Sequence, residues 1–276
     1  MNYPKDYLYF SNLYDYEKLP SLDNKKVLFV FGDSWTNNLY IDESTKHWCY
    51  LLKEKLQYDY VINVSNNYDS NYNIFDATRY VLCDDKFPMK QKNSLSKLKE
   101  FKVVVDWSTP MRDDTSVAKM YSPYNTATIP DLKSDKPNTK LWLDYVDKWF
   151  RVEMYSYDTQ KRILFLQEFF NHNNIDWHMF MGFTPLVEKQ YENTDYDLRK
   201  WIDKERFMFL NTFPNNMQDY LITTIDENFK DEININEMQF ENTRKEFFSN
   251  EVFTGDGHPA ERGLEIMSDI IYRNIK

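Results

Sequence analysis

The chain has 276 residues, of which 42% are hydrophobic and 28% charged, and its formal net charge is −10. This length is enough for one domain with a full hydrophobic core, and the negative charge argues against nucleic acid as a partner. No apolar run is long enough to cross a bilayer, and the first ten residues lack the basic and apolar segments of a secretory signal. We therefore expect no membrane contact.

Five apolar runs of strand length are spaced along the chain and predict five strands. They lie at residues 27–31, 60–64, 102–107, 174–183 and 206–210. Residues 1–24 precede the first run, are rich in Tyr, Asp and Pro, and are predicted to form an irregular arm.

Apolar stripes at helical spacing separate several of these runs. The stripes are Trp48, Leu52 and Leu56, then Ile74, Ala77 and Val81, and finally Leu264, Met267 and Ile271. Ser44 or Thr45 is predicted to cap the first helix, and Pro259 lies where proline favours the start of the last. A long helix is expected near residues 141–171, and residues 215–250 are expected to be partly helical. Because strands alternate with helices, we predict a parallel sheet with helices on both faces, in one domain.

Residues 108–140 interrupt this alternation. The stretch holds four prolines and shows little periodicity. A loop of this length inside a domain is usually a lid or an excursion with a function of its own, so we treat it as an insertion.

The run at residues 27–31 leads directly into Gly32, Asp33 and Ser34, within the stretch "VLFVFGDSWTNN". In parallel sheets the reactive groups lie beyond the carboxyl ends of the strands, where Ser34 is predicted to lie. A serine nucleophile needs a base, and His258 in "DGHP" precedes the last helix, with Asp256 two residues earlier to orient its ring. The alternative is an ordinary turn, since Gly, Asp and Ser all favour turns, with a histidine held for structural reasons.

The other chemistry-bearing residues suggest no second site. The four histidines and two cysteines form no metal-binding motif, so we expect no metal and no cofactor. His47 is predicted to be solvated on the first helix, and His178 to be a strand residue without a catalytic role. Cys49 and Cys83 are predicted to be reduced thiols, and one disulfide between them is the alternative.

The two ends of the chain resemble the SGNH, or GDSL, hydrolase family. The resemblance rests on the segment from Phe31 through Gly32-Asp33-Ser34 to Thr36 and on the segment from Gly255 to Pro259. It implies a flavodoxin-like three-layer α/β/α sandwich with a mostly parallel sheet over residues 1–276. It further implies that Ser34 is the nucleophile and first oxyanion donor, that His258 is the general base and that Asp256 is the acid of the triad.

The middle motifs of that family are altered in this chain. Where the family has a glycine after the second strand, Tyr68 or Asp69 lies nearest, and Ser70-Asn71 is similar to the "SN" that follows it in some members. The family's Gly-x-Asn-Asp is replaced by Asp106-Trp107-Ser108-Thr109, which is similar to the "GWTSPxR" variant of phage-type members. Ser108 or Thr109 would then replace the asparagine donor.

Arg112 follows this altered motif within the long insertion. A solvated loop residue is the ordinary interpretation of an arginine there. An arginine near an oxyanion site is also able to bind a carboxylate or a sugar, so Arg112 is kept as a binding candidate.

Two functions are consistent with these residues. The first is a serine esterase that acts on a small ester or removes acetyl groups from an acylated glycan. The second is a catalytically degenerate SGNH-like scaffold with a structural or binding role, for example a phage virion component that makes virion or homo-oligomer contacts. In either case we expect a cytoplasmic or virion-associated protein.

Overall fold

The computed structural model describes residues 4–10, 19–37, 46–65, 70–83, 95–110, 152–187, 189–211, 213–225, 251–254 and 257–276. Its strands are β1 (Tyr7–Phe10), β2 (Lys26–Gly32), β3 (Tyr60–Ser65), β4 (Glu100–Trp107), β5 (Asp176–Met181) and β6 (Phe207–Met208). They form one sheet in the order β1-β3-β2-β4-β5-β6, and every pairing between these strands is parallel. From β2 onwards this is the strand order of flavodoxin-like sheets.

The helices cover both faces of the sheet. They are α1 (Trp48–Leu56), α2 (Asn71–Cys83), α3 (Val152–His172), α4 (Met217–Thr223) and α5 (Glu261–Ile275), with short 3-10 helices at Leu95–Lys97, Lys189–Tyr191 and Arg199–Trp201. One core cluster unites the sheet with α2 and α3, and a second unites it with α1, α4 and α5. The predicted α/β fold is therefore confirmed. No described helix is apolar over enough residues to traverse a lipid bilayer.

Strand β2 shows why a continuous apolar run forms the centre of this sheet. Val27, Phe29 and Phe31 pack into the α2–α3 cluster, whereas Leu28 and Val30 pack into the α1–α4–α5 cluster. Since successive side chains point to opposite faces, a strand covered on both faces must be apolar at every position.

Part of the predicted irregular arm is a strand. Residues 7–10 form β1, which pairs with β3 at the edge of the sheet. Lys53 on α1 forms an ion pair with Asp6, and the Asn63 side chain donates a hydrogen bond of 2.8 Å to the Tyr7 hydroxyl. Four residues carry too little pattern to predict a strand, and the pairing depends on the free edge of β3. Residues 11–18 lie outside the described part of the chain.

The start of α1 also differs from the prediction. The N-cap is His47, whose Nδ1 accepts a hydrogen bond of 3.4 Å from the Cys49 amide. His47 is buried rather than solvated, and this burial lowers its pKa to about 3. Ser44 and Thr45, the predicted caps, lie outside the described residues. Cys49 is a free, buried thiol, whereas the side chain of Cys83 is not among those described.

An ionic cluster lies at the amino ends of β4 and β5. Lys102 donates to the Ile275 carbonyl at 2.7 Å and pairs with Asp176 at 2.7 Å, and Arg206 pairs with Asp176 at 2.7 Å. Lys102 and Asp176 are directly opposite each other in the β4–β5 register. The cluster therefore connects the end of α5 to the sheet.

His178 is buried beside this cluster, with Nε2 3.8 Å from Asp176 Oδ1. Its pKa is lowered to about 4, chiefly by burial and further by the charges of Lys102 and Arg206, while Asp176 acts in the opposite direction. The folded protein therefore holds His178 neutral at a pH where the unfolded chain begins to protonate it.

We expect the free energy of unfolding to fall as the pH is lowered from about 6.5 to about 4. In this range the unfolded chain binds a proton at His178, whereas the folded protein does not. His178 alone contributes on the order of 3 kcal/mol to this loss. Urea titrations across this pH range measure it. His178→Gln should reduce the pH dependence without abolishing it, because buried His47, whose pKa is lowered to about 3, contributes a loss of the same sign. His172→Gln, at an exposed position, should leave the pH dependence unchanged. An identical pH dependence in the parent and His178→Gln would contradict the assignment.

Candidate functional site

The carboxyl ends of β2 and β4 define the crevice of the sheet. The chain that leaves β2 enters β3 on one side, while β4 lies on the other side, so the direction of strand succession reverses between β2 and β4. In open α/β sheets, ligands bind at this reversal. The residues that follow Gly32 and Trp107 therefore occupy the place where a site is expected.

Residues 33–36 form a tight turn directly after β2. The Thr36 amide donates to the Asp33 carbonyl at 3.1 Å, and the Trp35 amide donates to Asp33 Oδ1 at 3.0 Å. Ser34 lies inside this turn and is only 4% exposed. Asp33 thus closes the turn with both its backbone and its side chain, as turn-forming aspartates do.

The glycine before the turn is required by a close approach. A Cβ atom on Gly32 would lie 2.4 Å from Thr36 Oγ1 and 3.0 Å from the Asp106 Cβ. Gly182, beyond the end of β5, has a similar constraint, since its Cβ would lie 2.9 Å from Asp106 Oδ1. Any larger residue at either position would displace the side chains at the strand ends.

Thr36 is held by a cluster of buried polar side chains. Its hydroxyl donates to Asp106 Oδ2 at 2.7 Å, and its carbonyl accepts from Asn63 Nδ2 at 2.7 Å and from Ser65 Oγ at 3.0 Å. All four residues are buried. No motif in the sequence predicts these four residues as a group. Their signal was a polar residue near the end of each of two apolar runs, "YVINVS" and "KVVVDW".

His258 lies in a hairpin that precedes α5. Phe253 pairs with Pro259, and the His258 carbonyl accepts from the Thr254 amide at 2.8 Å and from the Thr254 hydroxyl at 3.0 Å. Gly257 has a φ of 86°, which favours glycine. The half-buried His258 side chain is therefore presented by a short, well-bonded hairpin. Asp256, the predicted acid, lies outside the described residues.

Trp35 connects the Ser34 turn to the His258 hairpin. Its ring centroid lies 6.2 Å from that of Phe253 in the hairpin and 4.7 Å from that of Phe183, beyond β5. The Trp35 carbonyl accepts a hydrogen bond of 3.1 Å from the Trp48 indole. Ser34 itself makes no hydrogen bond to another described residue, so no such bond joins it to His258.

The structure brings two of the oxyanion candidates together. Asn71 Nδ2 donates to the Ser108 carbonyl at 3.0 Å and to Thr159 Oγ1 at 3.2 Å. These bonds connect the start of α2 to the end of β4 and to α3, and they occupy the amide hydrogens of Asn71. Ser108 and Thr109 are both buried. Tyr68, Asp69 and Arg112 lie outside the described residues.

The described residues hold no cluster of three or more His, Cys, Asp or Glu side chains arranged for a metal ion. No family model matches the sequence, and no curated protein matches it either. The fold is similar to a solved structure from Desulfitobacterium hafniense DCB-2 that is assigned to the G-D-S-L family of lipolytic proteins. That likeness has 12% sequence identity and a TM-score of 0.32, and it covers 91% of this chain and 99% of the other.

Gly263 allows α5 to pack against the His258 hairpin. A Cβ there would lie 2.2 Å from the Val252 carbonyl oxygen and 3.2 Å from the Pro259 Cβ. The same Val252 carbonyl accepts a hydrogen bond of 2.8 Å from the Ala260 amide, so the hairpin cannot move away without weakening that bond.

We therefore expect Gly263→Ala to lower the free energy of unfolding by about 1–3 kcal/mol, the usual cost of overpacking. Urea denaturation measures the change. Ser268→Ala is the matched control on the same helix, because Ser268 is fully buried and its hydroxyl has no hydrogen-bond partner in the described structure. It should change stability by less than about 0.5 kcal/mol. Equal stability of Gly263→Ala and the parent would contradict the packing argument.

Proposed function

We propose that the protein is a serine hydrolase of carboxylic esters, with Ser34 as nucleophile and His258 as general base. Ser34 Oγ attacks the ester carbonyl carbon while His258 takes the hydroxyl proton. The carbon–oxygen bond to the leaving group then breaks, and His258 returns the proton to the departing alcohol. Water attacks the acyl-enzyme, His258 takes a proton from that water, and the carboxylic acid leaves as Ser34 recovers its proton.

The observation that carries this proposal is the contact of Trp35 with Phe253. Trp35 is the neighbour of Ser34 in its turn, and Phe253 pairs with Pro259, the neighbour of His258. Ser34 and His258 come from opposite ends of the chain. The packing of Trp35 against Phe253 supports the meeting of Ser34 and His258 at the carboxyl edge of the sheet. The missing hydrogen bond does not exclude the pair, since such bonds are often longer before substrate binds.

The remaining roles follow from the resemblance. The Ser34 amide takes no part in the two hydrogen bonds that close its turn, so it is a suitable oxyanion donor. The hydroxyl of Ser108 or Thr109, and the backbone amide of Tyr68 or Asp69, are the other candidates. Asp256 would orient the imidazole. Asn71 is better suited to hold Ser108 and Thr159 in place than to act as an oxyanion donor, because its amide hydrogens already have acceptors.

The charges near the turn favour an uncharged substrate. Asp33 and Asp106 are both fully buried at this edge of the sheet, so the described side chains there are acidic rather than basic and do not favour an anionic acyl group. An acetyl ester, free or carried by a glycan, meets this condition. Arg112, which lies outside the described residues, stays a candidate for binding a sugar or a carboxylate.

A second function is favoured by the burial of Ser34. Its exposed fraction of 4% gives a substrate little access to the hydroxyl. With the altered middle motifs, this burial suits a scaffold that keeps the outline of a hydrolase and serves in binding or assembly, as a virion component would. Such a protein would not turn over esters.

The deciding experiment is hydrolysis of 4-nitrophenyl acetate by the purified full chain. We expect Ser34→Ala and His258→Ala each to lower kcat by at least about 10³-fold, because the two residues act as a unit. Ser21→Ala and His172→Ala, both at exposed positions, are the matched controls and should retain the parent rate. Full activity in Ser34→Ala would reject Ser34 as nucleophile. A folded parent without Ser34-dependent turnover would favour the scaffold function.

A further inference from the structure

The Ser34 turn is held at one residue by contacts from two neighbouring strands. Thr36, its last residue, donates its hydroxyl to Asp106 on β4 at 2.7 Å and accepts on its carbonyl from Asn63 and Ser65 on β3 at 2.7 and 3.0 Å. Its amide is bonded to Asp33 at 3.1 Å. All the side-chain bonds to Thr36 are buried, and buried hydrogen bonds are costly to lose.

Two glycines, which have no side chain, leave the space that these contacts need. Gly32 lies directly under the Thr36 hydroxyl, and Gly182 lies beside the other oxygen of the Asp106 carboxylate, where a Cβ would approach to 2.4 and 2.9 Å respectively. Two of the five glycines in the chain thus leave room for the bond between Thr36 and Asp106. The closure of an ordinary turn does not require two glycines beside a buried hydrogen bond.

A second layer supports the residues that hold Thr36. The Asn63 side chain that contacts the Thr36 carbonyl also donates to the Tyr7 hydroxyl on β1 at 2.8 Å. Asn63 therefore has a fixed orientation, and β1 takes part in the support of a turn that lies two strands away. The hydrogen bonds that support the turn after β2 therefore come from residues on β1, β3 and β4.

We propose that Thr36 is the positioning residue of the site: its hydroxyl on Asp106 and its carbonyl on Asn63 and Ser65 hold the Ser34 turn in the conformation that presents the nucleophile. Ser34 lies between Gly32, which is paired with Ser65 in the sheet, and Thr36, so both flanks of the serine are anchored. The kinetic part of this inference rests on the proposed function, whereas the structural part does not.

The test compares Thr36→Val, which keeps the shape and loses the hydroxyl, with Thr36→Ser, which keeps the hydroxyl. Thr78→Val is the matched control, because Thr78 is also fully buried and its hydroxyl donates at 2.7 Å, but to the Ile74 carbonyl within α2. Two properties are measured: hydrogen–deuterium exchange of the peptide that contains residues 33–36, and kcat and KM for 4-nitrophenyl acetate.

We expect Thr36→Val to exchange at residues 33–36 about tenfold faster than the parent, because the turn loses a buried anchor. Its kcat should fall about 10- to 100-fold with little change in KM, because displacement of the nucleophile affects the reaction more than binding. Thr36→Ser keeps the hydroxyl, so its exchange rate at residues 33–36 and its kcat should stay close to those of the parent. Thr78→Val should lose stability without either change.

Exchange at residues 33–36 that is equal in Thr36→Val and Thr78→Val would overturn the proposal. If Thr36→Val does not fold, Ser65→Ala decides by the same criterion, since it removes one of the two donors to the Thr36 carbonyl and should accelerate the same peptide. A parent without Ser34-dependent hydrolysis would reject the proposed function, and the exchange measurement would still decide whether Thr36 anchors the turn.

Discussion

The approach of Thr36 to Asp106 across the end of β2 is the contact on which the site depends. Their side chains meet at 2.7 Å directly above Gly32, where no side chain fits. This bond spans the point where the strand order reverses, which is the natural ligand crevice of such a sheet. The tight turn that carries Ser34 has its place because β2, β3 and β4 each contribute to this point.

The second half of the candidate site, the His258 hairpin, reaches the same edge by packing. The His258 hairpin is closed by its own backbone bonds, rests on α5 through Gly263 and contacts the Ser34 turn through the ring of Trp35. Hydrogen bonds between polar groups thus fix the Ser34 turn, while close packing and aromatic contact fix the His258 hairpin. A hydrolase needs both to be rigid, and a binding scaffold derived from one would retain the same features.

The strand and helix pattern was predictable because burial imposes it. A strand covered on both faces must be apolar throughout, as in β2, and a helix over a sheet must repeat its apolar residues every three or four positions, as in α5. The arm at residues 7–10 was not predictable in this way, because an edge strand of four residues depends on its partner. The burial of His47 was likewise not predictable from the helical pattern, since its ring interacts with the backbone of Trp35, which precedes α1, as well as with the nearby Cys49.

The sequence by itself determined the α/β alternation, the serine after the first apolar run and the histidine before the last helix, since each follows from local composition and order. Only the tertiary structure decided that Thr36, Asn63, Ser65 and Asp106 form one buried cluster, that Asn71 braces Ser108, and that Trp35 unites the two ends of the chain. The physical reason is that hydrogen bonds between neighbouring parallel strands join residues separated by a whole crossover connection, and no local pattern records such a distance.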